Sequence, residues 1–189
     1  MTLVGDFIMQ YMKIQNLGPI SDFEMDIKKI NLLIGEQATG KSTISKSIYF
    51  FRSIKTELKK HLYLCATDLD YALNNQFPRA LNKPMKDIFI QLFGYSWDLS
   101  QGLLMEFSFT DAISARVSLA NGKNRRKYIS INYSKPLVDA ISELEISLQN
   151  SYSSNVNMQD FYFSFINAER ARIHKEISDK INSCCPEEA

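Results

Sequence analysis

The sequence predicts a single domain of the α/β class, and three features of the chain support this. Residues 30–34 form an apolar, β-rich run that ends at a glycine-rich loop, and a long amphipathic helix is predicted directly after the loop. Three later segments alternate polar and apolar residues, which is typical of antiparallel strands. The chain has 189 residues, 45% of them hydrophobic and 23% charged, which is enough for one sizeable core.

Net charge, cysteine content and hydropathy exclude several classes of protein. The formal charge of +1 gives no global attraction to nucleic acid or to an acidic membrane. The three cysteines, Cys65 and the adjacent pair Cys184 and Cys185, have the spacing of neither a disulfide framework nor a zinc motif. No apolar run approaches the roughly 20 residues of a membrane span, and the N-terminus has no signal-peptide pattern. We therefore expect a cytoplasmic protein without a membrane contact.

Residues 1–65 predict a β-hairpin, a buried strand and a helix, in that order. Polar and apolar residues alternate on both sides of a Gly18-Pro19 turn, which predicts the hairpin. Residues 30–34 are almost entirely apolar, as expected of a central strand that is buried on both faces. From Lys41 onward, apolar residues recur every three or four positions and predict one buried face of a long helix. They are Ile44, Ile48, Phe51, Ile54, Leu58 and Leu62.

The middle of the chain predicts a helical segment followed by a β-meander. Residues 66–100 are interpreted as short helices that Pro78 and Pro84 divide. Residues 101–133 contain three alternating segments, and Asn121-Gly122 marks a turn between the second and the third. The apolar positions of these strands are Met105, Phe107 and Phe109, then Ala115, Val117 and Leu119, then Ile129, Ile131 and Tyr133.

Residues 134–189 predict a helix, a strand and a C-terminal helix. The first helix has one apolar face, and residues 161–166, FYFSFI, have the composition of a buried strand. The apolar face consists of Leu137, Ile141, Leu144 and Leu148.

The loop GEQATGKS, at residues 35–42, fits the Walker A motif at every fixed position: a glycine, four variable residues, then Gly-Lys-Ser. The glycines allow the backbone to wrap around an anion with its N–H groups turned inward, and the following helix adds the positive end of its dipole. We expect Lys41 to reach the β- and γ-phosphates of ATP, and the Ser42 hydroxyl to coordinate Mg²⁺. The bare pattern also occurs by chance, but a strand before it and a helix after it are the context that the motif requires.

We therefore predict a nucleotide-binding site in which each residue from 35 to 43 takes part. Glu36 and Gln37, at variable positions, are expected to contribute backbone N–H groups, and Thr43 a nearby polar contact. The full set is Gly35, Glu36, Gln37, Ala38, Thr39, Gly40, Lys41, Ser42 and Thr43.

Residues 12–51, MKIQNLGPISDFEMDIKKINLLIGEQATGKSTISKSIYFF, resemble the start of the head domain of ABC-type ATPases of the SMC, RecF and overcoming-lysogenization-defect (OLD) group. In that group, a strand with an Asn-Phe-Gly-Pro-Ile-like turn leads to a second strand and a Gly-x-Asn-Gly-Ser-Gly-Lys-Ser loop. The chain differs at Leu17, Gln37 and Ala38. The resemblance implies a P-loop NTPase fold, the N-terminal lobe of such a head, with ATP and Mg²⁺ as cofactors.

A second segment, FINAER at residues 165–170, resembles the Ile-Pro-Ala-Glu-Arg segment of bacterial AAA ATPases of the OLD-like group. The resemblance implies that Glu169 and Arg170 lie near the γ-phosphate. Glu169 would then act in catalysis beside Lys41, and Arg170 would contact the nucleotide. Taken alone, two such residues at the end of a strand are more often a solvated edge or a structural ion pair.

Two motifs of a complete head are not found in the sequence. A Walker B strand ending in Asp-Glu would hold the magnesium and activate water, and a Leu-Ser-Gly-Gly-Gln signature would face the Walker loop of a second head. The resemblance therefore implies that hydrolysis needs a C-terminal lobe or a second head, that complete heads pair as homodimers, and that the isolated chain is inactive. The residues alone leave open a self-sufficient P-loop kinase or NTPase, and a nucleotide-gated interaction module without turnover.

Two smaller features complete the sequence-based expectations. Lys123, Arg125, Arg126 and Lys127 form a basic cluster beside the predicted turn, which is typical of a solvated hairpin tip and also suits salt-dependent contact with the phosphates of DNA or RNA. His61 and His174 are interpreted as isolated, solvated helix residues, and no metal-ligand constellation is predicted.

Overall fold

The computed structural model describes residues 10–95, 102–121, 127–154, 175 and 178–185. Residues 178–184 are helical. Before that segment, the described residues form five strands and four helices. In chain order they are β1 (Gln10–Leu17), β2 (Ile20–Ile27), α1 (Lys41–Thr67), α2 (Leu69–Asn74), α3 (Arg79–Phe93), β3 (Leu104–Ser108), β4 (Ser114–Asn121), β5 (Lys127–Tyr133) and α4 (Lys135–Ser154).

The five strands form one antiparallel sheet in the order β2-β1-β3-β4-β5. The predicted hairpin and the predicted meander are both confirmed, and they share this sheet because β1 also pairs with β3, placing Tyr11 opposite Ser108. The pair Leu17 and Ile20 closes the β1–β2 hairpin. The last pair of β4 and β5 is Asn121 with Lys127, and the connection between them lies outside the described residues.

One face of the sheet is covered by α1, as the helical periodicity of the sequence predicts. Phe51 of α1 stacks on Phe107 of β3 with the ring centroids 5.3 Å apart, and both side chains are fully buried. Phe50 packs edge-on against Phe89 of α3, with a centroid separation of 5.7 Å, so that α3 lies beside α1. On the outer face, charged side chains pair across strands, for example Arg116 with Glu106 at 3.0 Å. This helical layer packed on a β-sheet confirms the α/β class.

Residues 30–34 are not a strand, so this prediction was wrong. The segment belongs to no ladder of the described sheet, and the side chains of Ile30, Leu32 and Ile34 are 85%, 80% and 84% exposed. An apolar run becomes a buried strand only if neighbouring strands satisfy its backbone N–H and C=O groups. The described residues contain no such neighbour, and the predicted strand at 161–166 lies outside them.

The prediction that Pro84 separates two helices was also wrong, because Pro84 lies inside α3. It occupies the second turn, where its missing N–H removes one intrahelical hydrogen bond. Leu81, Met85 and Phe89 form a buried face of α3, and this burial outweighs the lost bond. Pro78 does precede the start of α3, as predicted.

Candidate nucleotide-binding site

The Walker loop leads directly into α1, whose first residue is Lys41. Gly40 is the N-cap, with a left-handed backbone (φ 97°, ψ 4°) and no side-chain capping bond. The first helical hydrogen bond joins the Ile44 N–H to the Gly40 carbonyl at 3.0 Å. The earlier N–H groups of the helix therefore have no intrahelical acceptor, and the positive end of the helix dipole lies at the loop. Such a terminus is suited to an anion.

The loop is curled by a second left-handed residue, Ala38, at φ 65°. The Thr39 hydroxyl donates to the Glu36 carbonyl at 2.9 Å and closes the curl on its inner side. When right-handed and left-handed backbone conformations follow one another, successive N–H groups can point toward a common concavity. This arrangement is frequent in phosphate sites. Ala38 stands where the resembled families have glycine, and it nevertheless adopts the left-handed conformation.

The Lys41 ammonium lies inside this curl. It donates to the carbonyl oxygens of Gly35, at 2.6 Å, and Glu36, and lies 3.4 Å from the Thr39 hydroxyl oxygen. The loop residues from Gly35 to Thr39 are exposed, so an incoming phosphate can reach the ammonium from solvent. The positive charge, the first N–H groups of α1 and the exposed loop together fit the phosphates of a nucleotide.

The structure brings together the predicted residues from Gly35 to Thr43. Ser42 is exposed in the first turn of α1, which fits its predicted role as a magnesium ligand, and Thr43 is half-buried beside it. Glu169 and Arg170 lie outside the described residues, so their predicted approach to the γ-phosphate stays a prediction.

The basic cluster is only partly within the described chain. Lys127 is the first residue of β5, whereas Lys123, Arg125 and Arg126 fall in the connection between β4 and β5 that the structure does not describe. Nucleic-acid contact by this cluster also stays a prediction.

Comparison with known families decides the broad identity of the chain. The model of the AAA ATPase domain family matches residues 9–184, which include the Walker loop and every described strand. The chain belongs to the AAA ATPase domain family. Members of this family generally bind ATP with Mg²⁺, and the match confirms the expected P-loop NTPase fold. No curated protein and no solved structure matches the chain.

The helices of this AAA ATPase domain are too short or too polar to span a membrane, as far as the structure describes them.

The AAA ATPase domain contains a contact that sequence reasoning missed, between the β1–β2 turn and the end of the Walker loop. Gly40 is buried against Ile20, and a Cβ atom added to Gly40 would lie only 2.8 Å from Ile20 Cγ1 and 3.4 Å from Pro19 Cγ. A Cβ on Gly18 would likewise lie 4.0 Å from the Thr43 hydroxyl oxygen. The turn and the loop were each recognised from the sequence, but no local pattern reports their contact.

The interpretation of His61 as a solvated residue was wrong. His61 is 2% exposed, its Nε2 lies 2.6 Å from Glu145 Oε1, and its Nδ1 lies 3.0 Å from the Tyr71 hydroxyl. The burial of His61 could have been predicted from the sequence, because His61 follows Leu58 by three positions on the apolar face of α1. His174 lies outside the described residues.

The cluster around His61 is a closed hydrogen-bond network. Cys65, one turn further along α1, places its Sγ 3.9 Å from Nδ1 and 3.7 Å from Nε2 of His61. Burial, with the Glu145 carboxylate nearby, raises the pKa of the Cys65 thiol to about 12, so this sulfur is protonated at neutral pH. Histidine, cysteine and glutamate are metal-ligand types, and the ligand atoms of His61, Cys65 and Glu145 lie within 4.8 Å of one another, so the prediction of no metal-ligand constellation was wrong.

Proposed function

We propose that this chain is the Walker A lobe of an ATPase head of the SMC/RecF/OLD-like kind. It binds Mg-ATP through residues 35–43 and requires a further lobe for hydrolysis. The observation that carries the proposal is the Lys41 ammonium, enclosed by the loop carbonyls of Gly35 and Glu36 at the uncapped start of α1. This arrangement concentrates positive charge and free N–H groups at one point.

Each group in the loop has a defined task in binding. The bound Mg-ATP supplies the phosphoryl group that can be transferred. The backbone N–H groups around Gly40 hold phosphate oxygens, and Lys41 neutralises their charge. The Ser42 hydroxyl provides an oxygen ligand for the magnesium ion.

The activation of water is assigned to a further lobe because no Walker B Asp-Glu is found in the sequence, and the loop itself offers only Glu36, at a variable position of the motif. Hydrolysis requires a carboxylate or similar group that orients the attacking water. Glu36 is the one acidic residue between positions 30 and 56. The carboxylate of Asp22 on β2 accepts a bond from Gln15 at 2.9 Å, and that of Glu24 pairs with Lys13, both on the outer face of the sheet.

The exposed segment before the loop supports a completing lobe. Ile30, Leu32 and Ile34 present three large apolar side chains at alternate positions directly next to the phosphate site. An exposed apolar row of this kind is unusual in a soluble protein and is suited to cover by a neighbouring strand. The same row favours a second candidate function, a nucleotide-gated interaction module that docks a partner here without turnover.

Phosphate release by the purified chain tests the proposal. We expect the chain alone to release phosphate no faster than its Lys41→Ala variant. Addition of a C-terminal lobe with Walker B and signature motifs should restore turnover. If two heads must associate, the rate of phosphate release should rise steeply with protein concentration. Binding without turnover in the presence of that lobe would favour the interaction module. Rapid hydrolysis by the chain alone, lost on Glu169→Gln, would show that the chain is a complete enzyme.

The docking row can be tested separately with matched leucines. Leu32 and Leu73 are 80% and 59% exposed, so replacing either with serine should change the unfolding free energy by less than about 0.5 kcal/mol. Leu32→Ser should weaken activation by the added lobe, and Leu73→Ser, on α2, should not. Equal effects of the two variants would exclude the row as the docking surface.

A further inference from the structure

The side chain of Ile20 occupies the space beside Gly40 into which any larger residue at position 40 would project. A Cβ on Gly40 would lie 2.8 Å from Ile20 Cγ1 and 3.3 Å from Ile20 Cδ1. Ile20 itself is 6% exposed and is the first residue of β2. The contact therefore joins the sheet to the junction between the Walker loop and α1.

The backbone conformation of Gly40 determines where the first N–H groups of α1 point. With φ at 97°, Gly40 has a left-handed backbone immediately before Lys41, the first helical residue. Glycine adopts this conformation freely but also leaves it freely, because it has no side chain of its own to restrict it. A neighbouring side chain in van der Waals contact supplies the restriction that glycine lacks.

We propose that Ile20 is a positioning residue for the nucleotide: it packs on Gly40 and holds the loop–helix junction in the conformation that receives phosphate. This inference rests on the proposed nucleotide-binding function and extends it to a residue of the β1–β2 turn. Ile20 is itself fixed, since it pairs with Leu17 at the closed end of the hairpin, and β1 lies between β2 and β3 in the sheet. Preorganisation of this kind raises affinity by lowering the ordering cost of binding.

The β2 strand provides a matched control. Ile27, at the opposite end of β2, is the same residue type with the same 6% exposure, and it pairs with Gln10. Alanine at either position deletes the same atoms from the core and should lower the unfolding free energy to a similar extent. Only Ile20→Ala should also raise the dissociation constant for Mg-ATP, by roughly five- to tenfold, because only Ile20 contacts the loop.

A compensation experiment tests the contact itself. Gly40→Ala should weaken Mg-ATP binding, because the new Cβ meets Ile20 and the left-handed backbone strains any L-residue. In Gly40→Ala/Ile20→Ala, the two Ile20 atoms that approach the new Cβ most closely are removed. The double variant should therefore bind no worse than Gly40→Ala alone, which is a non-additive result.

The measurement is a calorimetric titration of each folded variant with Mg-ATP, with folding checked by circular dichroism. We expect Ile20→Ala to bind five- to tenfold more weakly than Ile27→Ala, and Ile20→Val, which keeps Cγ1 but loses Cδ1, to bind about twofold more weakly than wild type. If an alanine variant does not fold, Ile20→Val is compared with Ile27→Val, and a twofold difference is expected. Equal dissociation constants in the matched pair, or additive effects in the double variant, overturn the inference alone. Absence of binding by wild type overturns the proposed function and the inference together.

Discussion

His61 Nε2 lies 2.6 Å from Glu145 Oε1 in the protein core, and this contact joins the far half of α1 to α4. The same carboxylate oxygen accepts the backbone N–H of Phe77 at 2.8 Å. One buried side chain thus satisfies two donors from different parts of the chain. Glu145→Ala should destabilise the fold by about 3 kcal/mol, because it leaves both groups buried without an acceptor.

Urea unfolding measures this effect, and Glu143→Ala is the control because Glu143 is an exposed glutamate on the same helix. Lys41 and His61 are twenty positions apart in α1, which places them about 30 Å apart along the helix axis. Mg-ATP affinity should therefore be unchanged in Glu145→Ala under conditions where the variant is folded. A loss of stability no greater than that of Glu143→Ala would contradict the assigned role of the network.

Elements with a strong local period were predictable from the sequence. The face of α1 is visible in the spacing of Phe51, Ile54 and Leu58, and β4 is visible in the alternation of Ala115 and Val117. Both patterns reflect burial of one side of a single element, which neighbouring residues alone determine. The Walker loop was predictable for a similar reason, because its function depends on a short contiguous stretch of backbone.

The errors concern features that depend on distant parts of the chain. The pairing of β1 with β3 joins Ile14 to Met105, about ninety positions apart, and no local pattern selects this partner. The apolar run that includes Leu32 predicts burial, yet nothing in the described residues covers it. The burial of His61 could have been inferred from its place on the apolar face of α1, but its partner, Glu145, is remote in sequence and only the fold brings the two together.

Buried thiols should make the folded protein resistant to alkylation and sensitive to alkaline pH. Burial raises the pKa of both Cys65 and Cys185 to about 12. Iodoacetamide at pH 8, followed by mass spectrometry, should label these residues in urea far faster than in native buffer. The thiols ionise in the unfolded chain first, so the unfolding free energy should fall as pH rises between about 9 and 12.

Cys65→Ala provides the control for the pH effect because it removes one ionisable thiol. Its unfolding free energy should decline less steeply over the same pH range than that of wild type. Two results would contradict the conclusion that the Cys65 thiol is buried and protonated. They are identical pH profiles of the unfolding free energy for wild type and Cys65→Ala, and rapid labelling of Cys65 in the native state.

Ala38→Gly should relieve strain in the Walker loop. An L-residue at φ 65° carries a cost of about 1 kcal/mol that glycine does not. We expect the variant to unfold at a higher temperature or to bind Mg-ATP more tightly. Ala80→Gly, within α3, should instead destabilise by about 1 kcal/mol, since glycine is unfavourable in a helix. A loss of both stability and affinity in Ala38→Gly would contradict the strain assigned to Ala38.

The basic cluster predicts a separable, salt-dependent affinity for nucleic acid. Replacing Lys123, Arg125, Arg126 and Lys127 with serine should weaken DNA binding at low salt, because fewer counterions are released from the phosphates. Mg-ATP binding should be unchanged, since none of the four residues belongs to the Walker loop in sequence. Fluorescence anisotropy with a short duplex measures the first effect, and an unchanged DNA titration would eliminate the cluster as a binding site.

The most direct test of the account is calorimetric titration of the purified chain with Mg-ATP, comparing wild type with Lys41→Ala and Lys60→Ala. Lys60 is the control because it is an exposed lysine on the same helix, paired only with Glu57 in the described salt bridges. We predict one binding site in wild type and Lys60→Ala, and none in Lys41→Ala. A ligand at 100 times its dissociation constant should also stabilise the fold by about 2.7 kcal/mol. No binding by wild type at millimolar Mg-ATP, or equal binding by Lys41→Ala, would contradict the nucleotide site.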